Sequence, residues 1–134
     1  MSRFKDEQQA AKIIDGFLTE LAKEDDKILA GSGYVISFIL HKPDMRIIFD
    51  AREAPREGFG YKYILNPADP PESLAEFEMD AENFDKVYMG EAQAVTMLMT
   101  GKVKSRGNVT TALRLLPVIS HAIPKYKKYR EEHG

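Results

Sequence analysis

The sequence predicts an α+β fold in a single domain. Three observations carry this. The chain has 134 residues, the length of one domain. It opens on an apolar stripe at helical spacing, continues through short β-branched and alternating segments, and closes on helical patterns. Glycine, proline and asparagine punctuate these segments, and no linker long enough to separate domains interrupts them.

Residues 5–24 form the first expected helix, with Ala10, Ile13, Ile14, Phe17, Leu18 and Leu21 on one face. Gly16 is its blemish, at about 1 kcal/mol against alanine. Gly31-Ser32-Gly33 reads as a turn, Tyr34–Leu40 as a strand, and His41–Asp44 as a second turn. Met45–Ala51 pairs back as an antiparallel strand, with Met45, Ile47 and Phe49 on one face. Residues 52–59 are a charged loop, Tyr61–Leu65 a strand, and Asn66–Pro71 another loop. Leu74–Asp80 is a half-buried strand, because Ala75, Phe77 and Met79 alternate with Glu76 and Glu78.

Asp80 is an expected N-cap for a helix over Ala81–Met89, with Phe84, Val87 and Tyr88 inward. A further helix is expected over residues 91–100, with Val95, Leu98 and Met99 inward. Lys102–Arg106 reads as a short strand and Gly107-Asn108 as a turn. Residues 109–119 read as a helix presenting Ala112, Leu113, Leu116 and Ile119 to the core, with Pro117 near its end. Residues 122–130 read as a basic, aromatic tail.

Composition removes several function classes. A net charge of -2 gives no overall drive toward nucleic acid, which is not an expected partner. The absence of cysteine excludes disulfides, zinc thiolate sites and cysteine nucleophiles. No apolar run approaches the roughly 18 residues of a membrane helix. Met1–Asp6 leads into a charged helix, and Glu131–Gly134 is no peroxisomal address, so a cytoplasmic location is expected. A phosphate loop ending at Gly101-Lys102 would need glycine at 96 and serine or threonine at 103, where Thr96 and Val103 stand. Gly31-Ser32-Gly33 precedes a strand and lacks the third glycine of a dinucleotide site.

No spacing of histidine, aspartate and glutamate matches a metal motif, and no cofactor is expected. His121 reads as a surface residue at a helix end. Glu76 and Glu78 share a strand face, where two carboxylates can exchange protons, but simple amphipathic alternation accounts for them. Lys102, Lys104 and Arg106 read as a wet strand face, with an anion site beside the Gly107-Asn108 turn left open.

One longer pattern is more specific. Met79-Asp80, Phe84, Tyr88-x-Gly90, Met99-Thr-Gly-Lys-Val-Lys104, Gly107-Asn108 and Ala112-Leu-Arg-Leu115 follow in order. The stretch from Met79 to Leu116 resembles the sterol carrier protein type two family, and the earlier half agrees in the order of its elements. The resemblance implies a five-stranded, mainly antiparallel sheet covered on one face by helices, with an elongated apolar cavity between. It implies non-enzymatic binding and transfer of a fatty acid, fatty acyl thioester, phospholipid or sterol, without cofactor or catalytic residue, by one domain over residues 1–134.

The expected lining is Phe49, Tyr63, Phe77, Phe84, Tyr88, Val95, Leu98, Leu113, Leu116 and Ile119. Met97 and Met99 beside Leu98 suit a site of irregular shape. Lys125, Lys127, Lys128 and Arg130 are expected to touch an anionic membrane transiently. Self-association as a homodimer stays open. A regulatory module of an enzyme complex, with a vestigial cavity, is the alternative. An enzyme using Glu76, Glu78 or His121 is the least favoured reading.

Overall fold

The computed structural model describes residues 3–23, 32–52 and 62–133. Helix α1 runs Glu7–Lys23 and strands β1 and β2 run Val35–His41 and Met45–Asp50. Strands β3 and β4 run Lys62–Leu65 and Ala75–Asp80. Helices α2 (Ala81–Tyr88) and α3 (Ala94–Met99) precede strand β5 (Lys104–Gly107). Helix α4 (Val109–Ala112), a 3-10 turn over Leu113–Leu115 and helix α5 (Leu116–His133) close the fold. Residues 1–2, 24–31, 53–61 and 134 lie outside the described residues, and with them Gly31 of the first expected turn, all but Arg52 of the expected 52–59 loop, and Tyr61.

The five strands form one sheet in the order β3-β2-β1-β4-β5. Every neighbouring pair is antiparallel except β1 and β4, which run parallel. The register is what the alternation demands, since a slip of one residue would turn every side chain over. Phe38 stands level with Ile47 and Phe77, and Ile36 with Phe49 and Ala75, so the inner face is apolar across the three central strands. Helices α1, α2 and α5 pack on that side with the buried core. Glu76 and Glu78 project from the other face, level with Arg106 and Lys104 of β5. That outer face is not uniformly wet. Ser37 and Ile48 are buried on it, and the Ser37 hydroxyl bonds that of Ser73.

The largest departure from expectation is the C-terminal helix. Residues 122–130 are no tail but the middle of α5, which starts at Leu116 and continues to His133. Pro117 lies in its first turn, where the missing N–H has no intrahelical partner to lose. Pro124 lies inside the helix, which persists because its inward side is held by packing. Val118, Ala122 and Tyr126, spaced by four, are all buried there. Helix α3 is instead shorter than expected, beginning at Ala94 rather than residue 91.

The expected cap makes no cap bond, and an unexpected one does. Asp80 occupies the N-cap of α2 but makes no side-chain cap bond. Asn108 caps α4, accepting from the Thr111 backbone N–H at 3.1 Å. Gly16 is explained by its neighbour, because a Cβ there would overlap the Tyr129 hydroxyl of α5. Tyr129 thereby reaches Phe17, edge to face at 5.8 Å.

Gly107 ends β5 at φ +85, and a Cβ there would also collide with the Leu74 carbonyl oxygen. Gly33 has φ +73 with open space around it. Both positions disfavour a side chain, but only Gly107 adds a clash with rigid backbone. Gly33→Ala should therefore cost about 1 kcal/mol and Gly107→Ala about 3 kcal/mol or more in urea unfolding. Equal costs would show that the β4–β5 approach is not close.

Candidate functional site

The site grows from the inner sheet face. Phe38 of β1 lies at its centre, with ring centroids 5.4 Å from Phe49, 5.8 Å from Phe77 and 6.1 Å from Phe84. Phe84 stacks on Tyr88 at 4.4 Å, one turn along α2. Such ring contacts add about 0.5–1.5 kcal/mol each beyond area burial. Helices α3, α4 and α5 do not close down fully over these rings. A pocket of about 90 Å³ remains, walled by β1, β2, β4 and the helices, and no charged side chain lines it. That volume is below the roughly 300 Å³ at which ordinary ligand pockets begin.

Eight of the ten expected residues line this pocket: Phe49, Phe77, Phe84, Tyr88, Leu98, Leu113, Leu116 and Ile119. Tyr63 and Val95 do not. Tyr63 packs beside Phe49, but its hydroxyl donates to Asp15 of α1 at 2.8 Å. Burial and that carboxylate push its phenol pKa upward. Val95 is on the wrong side of α3. In a helix of six residues Ala94, Met97 and Leu98 face inward, which leaves Val95 and Met99 exposed. The expected inward placement of Met99 fails for the same reason. Sequence reasoning missed Phe38, although its alternation with Ile36 and Leu40 was the available signal.

Behind the pocket, α2 is fixed to α5 by a buried carboxylate. Asp85 is 1% exposed and accepts three hydrogen bonds of 2.6 Å, from the Tyr126 hydroxyl, Arg130 Nη1 and Arg3 Nε. Arg130 also donates to the Arg3 carbonyl at 3.0 Å and lies 4.7 Å over the Phe4 ring. Arg3 pairs in addition with Glu91. Burial and the Asp85 carboxylate raise the Tyr126 phenol pKa. Arg130 is thus committed to the interior and corrects the expectation that it faces a membrane. Lys125, Lys127 and Lys128 stay exposed on α5.

The candidate acid–base residues are not brought together. Glu78 bonds His41 Nε2 at 2.6 Å on the outer sheet face, Glu76 lies 3.8 Å from Arg46, and His121 is exposed on α5. None of them lines the apolar pocket.

A family model, the SCP-2 sterol transfer family, matches residues 14–120. The chain belongs to this family. Two solved sterol carriers share the SCP-2 fold with it. Sterol Carrier Protein 2 from Yarrowia lipolytica, in its apo form, is 18% identical with a TM-score of 0.58, over 87% of this chain and 88% of that one. Sterol carrier protein domain 2 of Helicoverpa armigera is 17% identical with a TM-score of 0.63, over 84% and 89%. The inverting sec-alkylsulfatase of a Pseudomonas species is 15% identical with a TM-score of 0.60, over 78% of this chain and 16% of that one. Among curated proteins, none matches the chain in sequence.

Two features of this SCP-2 chain can be tested by titration and substitution. The hydrogen bond to Glu78, then that to Asp44, raises the His41 pKa above its ordinary 6.5. The same histidine, helped by Lys104 and Arg106, lowers that of Glu78 below 4.5. The histidine contribution is complete below pH 6.5 and is lost as pH rises through its raised value. The glutamate contribution is present above pH 4.5 and is lost as pH falls through its lowered value. The melting-temperature gap between the native chain and Glu78→Gln should be widest near pH ~5.5 and shrink above pH ~8. A gap that widens at high pH would refute the pairing. At the buried site, Asp85→Asn should cost about 3–5 kcal/mol in chemical unfolding, because two guanidinium groups lose their shared anion. Tyr126→Phe removes one charge-assisted bond and should cost about 1.5–3 kcal/mol.

Proposed function

We propose that this chain, as one domain over its 134 residues, binds and transfers an apolar lipid in the pocket between sheet and helices. The ligand is a fatty acid, fatty acyl thioester, phospholipid or sterol. The observation that carries the reading is the lining, apolar on every wall, aromatic on the sheet and α2 and contributed by both layers of the fold. Such a site gains nothing from a charged or strongly hydrated ligand and stabilises a hydrocarbon chain through water exclusion. Its wall toward α3 and α4 is made of a six-residue helix, a four-residue helix and one 3-10 turn. Elements this short hold few backbone hydrogen bonds of their own and separate at low cost, so a ligand can widen the narrow pocket on that side. The reading assigns no catalytic step to the chain.

A second reading, an interaction module of a larger enzyme, is favoured by one observation. In the Pseudomonas sulfatase the matched region is only 16% of the chain.

Displacement of a fluorescent fatty acid from delipidated protein tests the first reading. Burial of one apolar contact is worth about 1.5–3 kcal/mol, so Leu98→Glu should weaken binding at least about tenfold. Val95→Glu, on the opposite side of the same helix, should leave it unchanged. Failure of the native chain to bind any lipid class saturably would overturn the reading in favour of the module.

A further inference from the structure

Arg3 and Phe4 precede α1 and belong to no helix or strand, so no backbone ladder fixes them. Side chains hold them instead. The Arg3 backbone N–H donates to Glu82 Oε1 at 3.2 Å, its Nε to Asp85 Oδ2 at 2.6 Å and its Nη1 to Glu91 Oε1 at 3.3 Å. The Arg3 carbonyl accepts from Arg130 Nη2, and the same guanidinium covers the ring of Phe4, which is buried. One residue thus grips α2 near its start, in its middle and, at Glu91, just past its end. On the other side of that helix Phe84, Val87 and Tyr88 line the pocket. Arg3 and Phe4 lie across the back of the pocket wall as a strap.

The Asp85 carboxylate divides its oxygens between two sets of partners. Oδ1 takes the Tyr126 hydroxyl and Arg130 Nη1, both from α5, and Oδ2 takes Arg3. Asp85 therefore keeps its α5 donors when Arg3 leaves, and the freed oxygen meets water where Arg3 stood. The side chain of Arg3 is 23% exposed and that of Glu91 50%, so solvent already reaches the outer half of the strap. Cutting a buried ion pair costs heavily because one charge is left dry. Here neither charge stays dry. The seat of α2 on α5 and the strap over α2 are separable contacts.

We infer that Arg3 is a positioning residue of the lipid pocket: the strap of Arg3 and Phe4 pins α2 over the aromatic floor, and its release frees α2 to lift and pass a ligand. The role of the strap rests on the proposed lipid binding. A pocket of about 90 Å³ is too small for a lipid chain, so a ligand must select a wider arrangement than the strapped one. Helices α3 and α4 yield on one side, and α2, which carries Phe84 and Tyr88, is the wall that the strap keeps from yielding. Coupling of this kind is reciprocal. Loosening the strap speeds ligand exchange, and a bound ligand loosens the strap.

Stopped-flow release of cis-parinaric acid, a fluorescent fatty acid, tests the first half. Arg3→Gln should speed release about tenfold, the effect of losing charge-assisted hydrogen bonds. Glu91→Gln leaves Asp85 untouched and should speed it about threefold, which keeps the test open where Arg3→Gln fails to fold. High salt should bring the native rate to that of Glu91→Gln and leave that variant unchanged, a convergence that general loosening of the fold would not give. Arg3→Lys keeps the charge without the fork and should fall between the native chain and Arg3→Gln. A spin label tests the second half. The chain has no cysteine, so Lys5→Cys, at an exposed position, supplies one thiol beside the strap. Its mobile fraction should rise with Arg3→Gln and, in the otherwise native chain, on adding oleate. Equal release rates in the native chain, Arg3→Gln and Glu91→Gln overturn the inference and leave the ligand reading standing. So does a label that responds to neither Arg3→Gln nor oleate while the fatty acid binds. A native chain that binds no lipid class overturns the ligand reading and the gating with it, and is recognised beforehand by equilibrium displacement.

Discussion

Asp85 must lose nearly all its water before α2 can settle against α5, and three donors from two distant parts of the chain replace that water. An isolated buried carboxylate is among the most costly groups a core can hold. Satisfied by two guanidinium groups and a phenol, it costs little, although an apolar contact of the same volume would stabilise the fold as well or better. What the arrangement supplies is register. Tyr126 and Arg130 are one turn apart, and only one rotation and one height of α5 delivers both to the same carboxylate. The phase of α5 then determines which of its side chains meet the pocket. Val118 and Ile119 line it, while Ala122 and Tyr126 seal the core beyond.

The pocket itself is a consequence of incomplete covering. Phe38, Phe49 and Phe77 make a continuous aromatic floor across three strands, and α2 adds Phe84 and Tyr88 from above. Helix α2 is locked down, whereas α3 and α4 contribute one or two side chains each to the same layer. Close packing is therefore reached on the α1 and α2 side and falls short beneath α3 and the 3-10 turn. Polar groups are kept to the opposite sheet face, where the carboxylates of β4 meet the cations of β5 and the His41 ring. The two faces of one sheet thus separate charge pairing from the apolar pocket.

Much of this was legible in the sequence, for reasons that differ by element. Helix α1 and strands β1, β2 and β4 carry complete apolar patterns, and the structure places each within two residues of expectation. The Gly107-Asn108 pair was legible as a turn, though not the reason for its glycine, which is a backbone carbonyl 33 residues away in sequence. The end of the chain was read wrongly because two prolines and a run of cations masked a stripe of Val118, Ala122 and Tyr126. Local propensity spoke against a helix there, and a long-range partner, Asp85, overrode it. Tyr63 and Val95 failed as lining for opposite reasons. Tyr63 had a polar end that found Asp15, and Val95 belonged to a helix too short for its phase to be read from composition.

The bond from Arg130 to the carbonyl of Arg3 spans 127 positions of sequence. During synthesis, residues 3 and 85 have long left the ribosome when residue 130 is still inside it. The sheet strands can pair in that interval, but Asp85 then has Arg3 alone and no phenol, so α2 has no seat to occupy. The Asp85 carboxylate therefore lacks two of its three donors until residues 126–130 are available to fold.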